Sequence, residues 1–192
     1  MGFFRVWFSG IVNPSRAYDF LKDKKAPELG LYAVLTRFLG TSLTTILLLF
    51  LMQYKLFEPS YLTFLSTQNY YKAEIFFMPV FGLFIWLLMS GTGHLIFRLS
   101  GRSSDFDKLL NVVGFGMLVP MPVVWVWDWL MIAFNSYSLL PMAVSHFLFQ
   151  LWETGVECVG LRRLQKLKAP SALGIAIIIN ALYIGVAAIV IR

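Results

Sequence analysis

His146, Gln150, Glu153 and Glu157 interrupt an otherwise apolar run at spacings of four, three and four residues. On an α-helix those spacings bring all four to one face. Two kinds of chemistry suit such a stripe. Ionisable and amide groups in series can pass protons or ions, or line a groove for a polar substrate. The same groups can instead hold helices together, each carboxylate taking a partner on a neighbour. Arg37 lies inside another apolar run. A charge at mid-bilayer costs about 2.5–3.5 kcal/mol on insertion scales, so it needs a partner, water or a short reach to the interface. Both kinds of chemistry therefore predict that Arg37 pairs with Glu153 or Glu157. At about 1.5 Å of rise per residue, His94 falls at a depth similar to Arg37, Glu153 and Glu157, so the four are placed to meet. Glu74, Asp128 and His146 fall toward the opposite side. The candidate intramembrane polar site is thus Arg37, His94, His146, Gln150, Glu153 and Glu157.

Other chemistry is poorly supplied. A zinc hydrolase site needs three ligands within about 2 Å of one ion. The chain has two histidines, at opposite depths, and no HExxH. Its single cysteine, Cys158, rules out an intrachain disulfide and a thiolate-rich metal site. Cys158 reads as a small packing residue, with a regulatory or palmitoylated thiol as the alternative. Nothing in the spacing joins it to His94 as nucleophile and base. No enzymatic activity, metal or cofactor is expected.

The elements that must position these side chains are membrane helices. The chain is 58% hydrophobic and only 14% charged, too little charge to cover a soluble domain of this size. A helix needs about 20 apolar residues to cross a hydrocarbon core. Five runs reach that length: residues 29–52, 73–98, 109–134, 139–161 and 171–191. They are longer and more continuously apolar than barrel strands, and helices satisfy their own backbone in lipid. The expected fold is all-α, a polytopic five-helix transmembrane bundle with an N-terminal interfacial helix. Two parts are expected: a lead-in over residues 1–28 and a membrane domain over 29–192. Gly114, Gly116, Pro120 and Pro122 cluster in the third run. Proline removes a backbone donor and clashes with the preceding turn, so a kink is expected there. Such a break lines a binding site in some transporters; elsewhere it is a kink whose glycines permit tight packing. Gly91, Gly93, Ala181, Gly185 and Ala188 are further candidates for close helix contact. Tyr70, Tyr71, Trp125, Trp127, Trp129 and Trp152 read as interface anchors.

Basic residues set the orientation. Arg5, Arg16, Lys22, Lys24 and Lys25 precede the first span; Arg98, Arg102 and Lys108 surround the second loop; Arg162, Arg163, Lys166 and Lys168 lie between the last two spans. The other side holds only Lys55, Lys72 and Arg192. That bias puts the N-terminus in the cytoplasm and the C-terminus outside. The net charge of +6 then faces anionic lipid and implies no nucleic acid. The segment GFFRVWFSGIV is interrupted by Arg5 and carries no small-residue cleavage site, unlike a signal peptide. Asn13 is placed to cap a helix that begins at Pro14. Ala17, Phe20 and Leu21 would share its apolar face, and the helix is expected along the cytoplasmic surface.

Several short stretches, in this order and topology, resemble the Yip-one domain family, the Ypt/Rab-GTPase-interacting membrane proteins. Val12-Asn13-Pro14-Ser15-Arg16-Ala17 is similar to the asparagine-proline segment before the first span of prokaryotic members. His94-Leu95-Ile96-Phe97-Arg98-Leu99-Ser100-Gly101, followed by Phe106, resembles the stretch leaving the second span. Gly114 to Pro120 looks like the glycine-rich third span that reaches a proline, and Trp152 with Gly160-Leu161-Arg162 like the end of the fourth. The resemblance implies five spans, a cytosolic N-terminus, and a membrane-organising or trafficking role through homo- or hetero-association. It supplies no catalytic residues. Eukaryotic members carry a long cytosolic N-terminal region, whereas about 28 residues precede the first span here. Small-GTPase binding is therefore not expected, and a short prokaryotic-type member of the inner membrane is. The expected function is non-enzymatic membrane organisation, with the bilayer, a second copy or other membrane proteins as partners. The alternative is a small transporter, or an ion- or lipid-handling protein, using the polar stripe of the fourth span.

Overall fold

The computed structural model describes residues 2–22, 28–54 and 69–190. Lys24, Lys25, Lys55 and Arg192, which entered the orientation argument, lie outside the described residues. Everything regular among those residues is helical. In chain order the elements are α1 (Phe3–Val12), α2 (Pro14–Leu21), α3 (Glu28–Thr41), a π-helical turn (Ser42–Ile46), α4 (Leu47–Leu51), α5 (Tyr70–Leu99), α6 (Phe106–Leu118), α7 (Met121–Ala133), α8 (Leu139–Leu164) and α9 (Ala169–Val190). Four of the described stretches are long and apolar enough to cross a membrane: Glu28–Leu51, Tyr70–Leu99, Phe106–Ala133 and Ala169–Val190. The fifth expected run forms α8, which is 26 residues long. Its Glu153, Glu157, Arg162 and Arg163 set it apart in composition from those four.

Local chemistry accounts for the ends. Asn13 caps α2, its side chain accepting from the Arg16 N–H at 3.1 Å, and Pro14 opens the helix where no donor is needed. Asp105 caps α6, accepting from the Lys108 N–H at 3.2 Å. Partial burial pushes the Asp105 carboxyl up, but hydrogen bonds from the Lys108 ammonium and backbone outweigh this and hold it below the usual carboxylate range. The α6 side also caps α3: the Gly30 N–H donates to the Asn111 side chain at 2.8 Å, satisfying an orphan donor of the first turn.

Prolines break the ladder, and neighbours repair it. In a continuous helix the residue at 122 would donate to the Leu118 carbonyl. Pro122 cannot, and the Trp7 indole N–H of α1 donates there instead, at 3.1 Å. Pro79 likewise leaves the Ile75 carbonyl of α5 without its usual donor, and the Ser42 hydroxyl takes that place. Ser42 opens the π-helical turn, a distortion often found where a helix is re-aimed for a specific contact. Freed carbonyls inside a bilayer cost several kcal/mol unless answered in this way. Trp7→Phe should therefore destabilise the protein by about 1–3 kcal/mol, read as a lower unfolding midpoint in detergent. Adding Pro122→Ala should recover part of it by restoring a backbone donor. No recovery in the double variant would show that the indole bond is not what matters at Leu118.

α6 forms the centre of the bundle. Every residue from Leu109 to Leu118 is buried, and 78% of the most apolar window of Phe106–Ala133 is covered, against 22% for Ala169–Val190. α3 lies closest to it because two glycines face each other. A Cβ on Gly114 would stand 2.7 Å from the Gly30 Cα, and one on Gly30 2.6 Å from the Leu110 carbonyl oxygen. Gly40 admits Trp125, Gly82 admits the Phe38 ring and Gly160 admits the Tyr18 ring. Gly91 and Gly185, expected at helix contacts, instead have no neighbour among the described residues within 4 Å of where a Cβ would stand. The structure also revises the lead-in. α1 buries Val6, Trp7 and Gly10 against the bundle, with Phe3 edge on to Tyr32 and tilted against Phe115. α2 buries Ala17, Tyr18 and Leu21 while Phe20 stays exposed. The inward face thus uses Tyr18 in place of Phe20, since the tyrosine hydroxyl can reach the Val112 carbonyl at 3.1 Å. Tyr70 and Tyr71, read as interface anchors, are buried.

Candidate functional site

Four helices, α3, α6, α8 and α9, hold the buried polar cluster. Arg37 of α3 donates from Nη1 to Glu153 Oε2 of α8 at 2.8 Å and to the Met117 carbonyl of α6 at 2.9 Å. Its Nη2 donates to the Tyr183 hydroxyl of α9 at 3.0 Å. The guanidinium also sits 5.2 Å from the ring centres of Phe38 and Tyr183, a favourable placement for a cation over an aromatic face. Met117 adjoins the break between α6 and α7, so one arginine joins a carboxylate, a carbonyl and a phenol around it. Planar five-donor geometry suits arginine to this many partners.

Glu157 lies one turn further along α8 and is fully buried. It has no arginine of its own. The Asn180 amide of α9 donates to Glu157 Oε2 and to the Ala176 carbonyl, while its oxygen accepts from the Gln150 amide. Gln150, Asn180 and Glu157 thus form a chain between α8 and α9. Gly116 makes the room: a Cβ there would collide with the Glu157 Cγ. Among the described residues, Oε1 of Glu153 and Oε1 of Glu157 accept no hydrogen bond.

The remaining predicted residues lie apart. His94 does not join Arg37: its ring meets the Ser104 hydroxyl and stands edge on to Phe106, with 5.5 Å between ring centres. The chain folds back there at Ser100–Asp105, and the loop claims the imidazole. His146 contacts Asp128 of α7 at 3.4 Å and the Met142 carbonyl at 2.9 Å. Of the residues expected at the kink, Pro120 precedes Met121 at the break itself and Pro122 lies in the first turn of α7. Gly114 and Gly116 lie inside α6, where they admit Gly30 and Glu157. Cys158 is half-buried. Among the described residues no three His, Cys, Asp or Glu side chains converge as metal ligands do.

Asn180 and Tyr183 are the cluster members that sequence reasoning missed. Their signal was present: they are the polar side chains in the middle of an otherwise apolar run, where a polar group in lipid calls for a partner. Asn111 carried the same signal in α6.

Two open surface cavities bear on the site. One of about 590 Å³ runs over α1, between Phe4, Phe8, Val12, Arg5 and Arg16. The other, about 370 Å³, lies between α2 and the end of α8, against Ser15, Val159, Arg162, Arg163 and Leu167. Neither is lined by Gln150 or Pro120.

A family model for the Yip1 domain matches residues 9–191. No curated protein and no solved structure matches the chain.

Proposed function

The chain belongs to the Yip1 domain family, and from that premise we propose a non-enzymatic membrane protein that organises the bilayer through association with itself or other membrane proteins. It would span five times, through α3 with α4, α5, α6 with α7, α8, and α9. At 26 residues and about 1.5 Å of rise each, α8 is long enough. Its polar stripe faces neighbouring helices, leaving Leu148, Leu151 and Phe147 outward. The N-terminus would be cytoplasmic and the C-terminus outside, in the inner membrane of a prokaryote. Residues 1–28 would be the interfacial lead-in and 29–192 the membrane domain.

The single observation that carries this proposal is where the polar groups of α8 go. Arg37 takes Glu153, and Asn180 takes both Gln150 and Glu157. Side chains that tie three helices together are poorly placed to hand a substrate across. Outward, α5 presents Phe76, Val80, Phe84 and Leu87, and Gly91 on the same helix is open. Small residues on a lipid-facing surface suit the approach of another helix. Transport or ion handling is favoured by one feature, the two buried carboxylate oxygens without a hydrogen-bond partner, on Glu153 and Glu157. Residues Arg37, His94, His146, Gln150, Glu153 and Glu157 would be its path.

Two measurements separate these. A cysteine at Phe84 in a Cys158→Ser background should form cross-linked species in native membranes. Vesicles holding the purified protein should pass protons no faster than empty ones. A proton flux abolished by Glu157→Gln, with no cross-linking, would replace association by transport.

A further inference from the structure

We propose that the cavity between α2 and the end of α8 binds the phosphate of an anionic phospholipid head group. Arg162, Arg163 and Ser15 are its polar lining residues; Val159 and Leu167 are the apolar ones. No acidic residue lines it. Asp19 reaches Arg163 at 3.6 Å, but both side chains are about half exposed, and an exposed pair of that length contributes little. A phosphate can therefore displace it. Among the described residues no salt bridge engages Arg162. Arginine forks match phosphate oxygens two at a time, with charge-assisted hydrogen bonds.

Placement gives the site its source of ligand. Arg162 follows the buried Glu157 by five residues, about 7.5 Å of rise, so the cavity lies at the end of the bundle where a head group would sit. Loops gather the same charge there. The Asp105 N–H donates to the Gln165 side chain at 3.2 Å, and that side chain returns a bond to the Asp105 carbonyl at 2.7 Å. This pairing joins the loop holding Arg102 to the segment holding Lys166 and Lys168. A basic pocket between helices at a membrane face suits anionic head groups. The mixed walls favour a phosphodiester with an apolar root over free phosphate.

The test uses the full chain in neutral detergent, titrated with phosphatidylglycerol, phosphatidylcholine of the same acyl chains, and inorganic phosphate, with bound lipid read by native mass spectrometry. Phosphatidylglycerol should bind selectively. A charge-assisted hydrogen bond contributes about tenfold in affinity, so losing one from each guanidinium in Arg162→Gln with Arg163→Gln should weaken that binding about a hundredfold. Lys166→Gln with Lys168→Gln, outside the cavity, should weaken it less than about threefold if the contact is discrete. Unfolding midpoints without lipid check that each variant is folded. Equal losses in the two double variants would leave only a diffuse basic face and overturn the site. Equal binding of both lipids, or no loss on removing the arginines, would overturn it as well. Inorganic phosphate that binds as tightly as the lipid and competes with it would overturn the lipid assignment in favour of a soluble anion.

Discussion

Arg37→Leu should cost the protein about 3–5 kcal/mol of stability, because it leaves the Glu153 carboxylate buried without a countercharge. Arg37 is only 8% exposed and Glu153 3%, so neither water nor salt would compensate the loss. The substitution also removes the donors serving the Met117 carbonyl and the Tyr183 hydroxyl. Folded yield from membranes should fall steeply, with a lower unfolding midpoint in whatever material survives. The companion variant decides the cause. Arg37→Leu combined with Glu153→Leu removes both charges, and replacing a buried pair by apolar residues is often neutral or stabilising. The double variant should recover most of the loss, short of the share owed to the Met117 carbonyl. If it remains as unstable as the single variant, the ion pair is not the source of the penalty. Should Glu153→Leu alone prove harmless, Arg37 is held by the carbonyl and phenol instead.

Gly114→Ala comes next in size. Its new methyl would meet backbone, 2.5 Å from the Gly30 carbonyl oxygen and 2.7 Å from the Gly30 Cα, and backbone cannot rotate away as a side chain can. α3 and α6 must separate, at a cost toward the upper end of the roughly 1–3 kcal/mol typical of overpacking. Gly30→Ala should behave alike, since its methyl meets the Leu110 carbonyl. The contrast is internal. Gly91→Ala and Gly185→Ala meet nothing within 4 Å among the described residues, so folding should be unchanged or improved by up to about 1 kcal/mol through helix propensity. Thermal unfolding of the four alanine variants in one detergent tests the set. Similar midpoints for all four would mean that the α3–α6 approach is not fixed by these glycines. Loss of cross-linking in Gly91→Ala with an unchanged midpoint would point to a contact between molecules at that face.

The cluster shows where reading from sequence stops. Arg37 was legible because a charge in an apolar run must find a partner, and the helical spacing offered Glu153 and Glu157 on one face of α8. Choosing between them was not legible, since one turn of relative sliding between α3 and α8 exchanges the two. The structure assigns Glu153 to Arg37 and gives Glu157 to Asn180. His94 was placed by depth alone. Depth ignores rotation about the helix axis, and His94 faces Ser104 and Phe106 instead. Proline positions announced a break near Pro120, but not that an indole from α1 and a guanidinium from α3 would serve the carbonyls around it.

Composition and periodicity by themselves determined the solvent, the helical class, the approximate place of four spans, the cap at Asn13, and the need for Arg37 to be paired. Each is a local or additive property: apolar length, the 3.6-residue repeat, a side-chain oxygen three residues before an orphan N–H. Only the tertiary structure decided that α6 is the centre, that Gly30 and Gly114 are the glycines in contact, that Trp7 replaces the donor lost at Pro122, and that Asn180 joins Gln150 to Glu157. Those outcomes depend on the rotation and register of one helix against another. Register is set by the joint packing of all the helices, and no single segment carries that information.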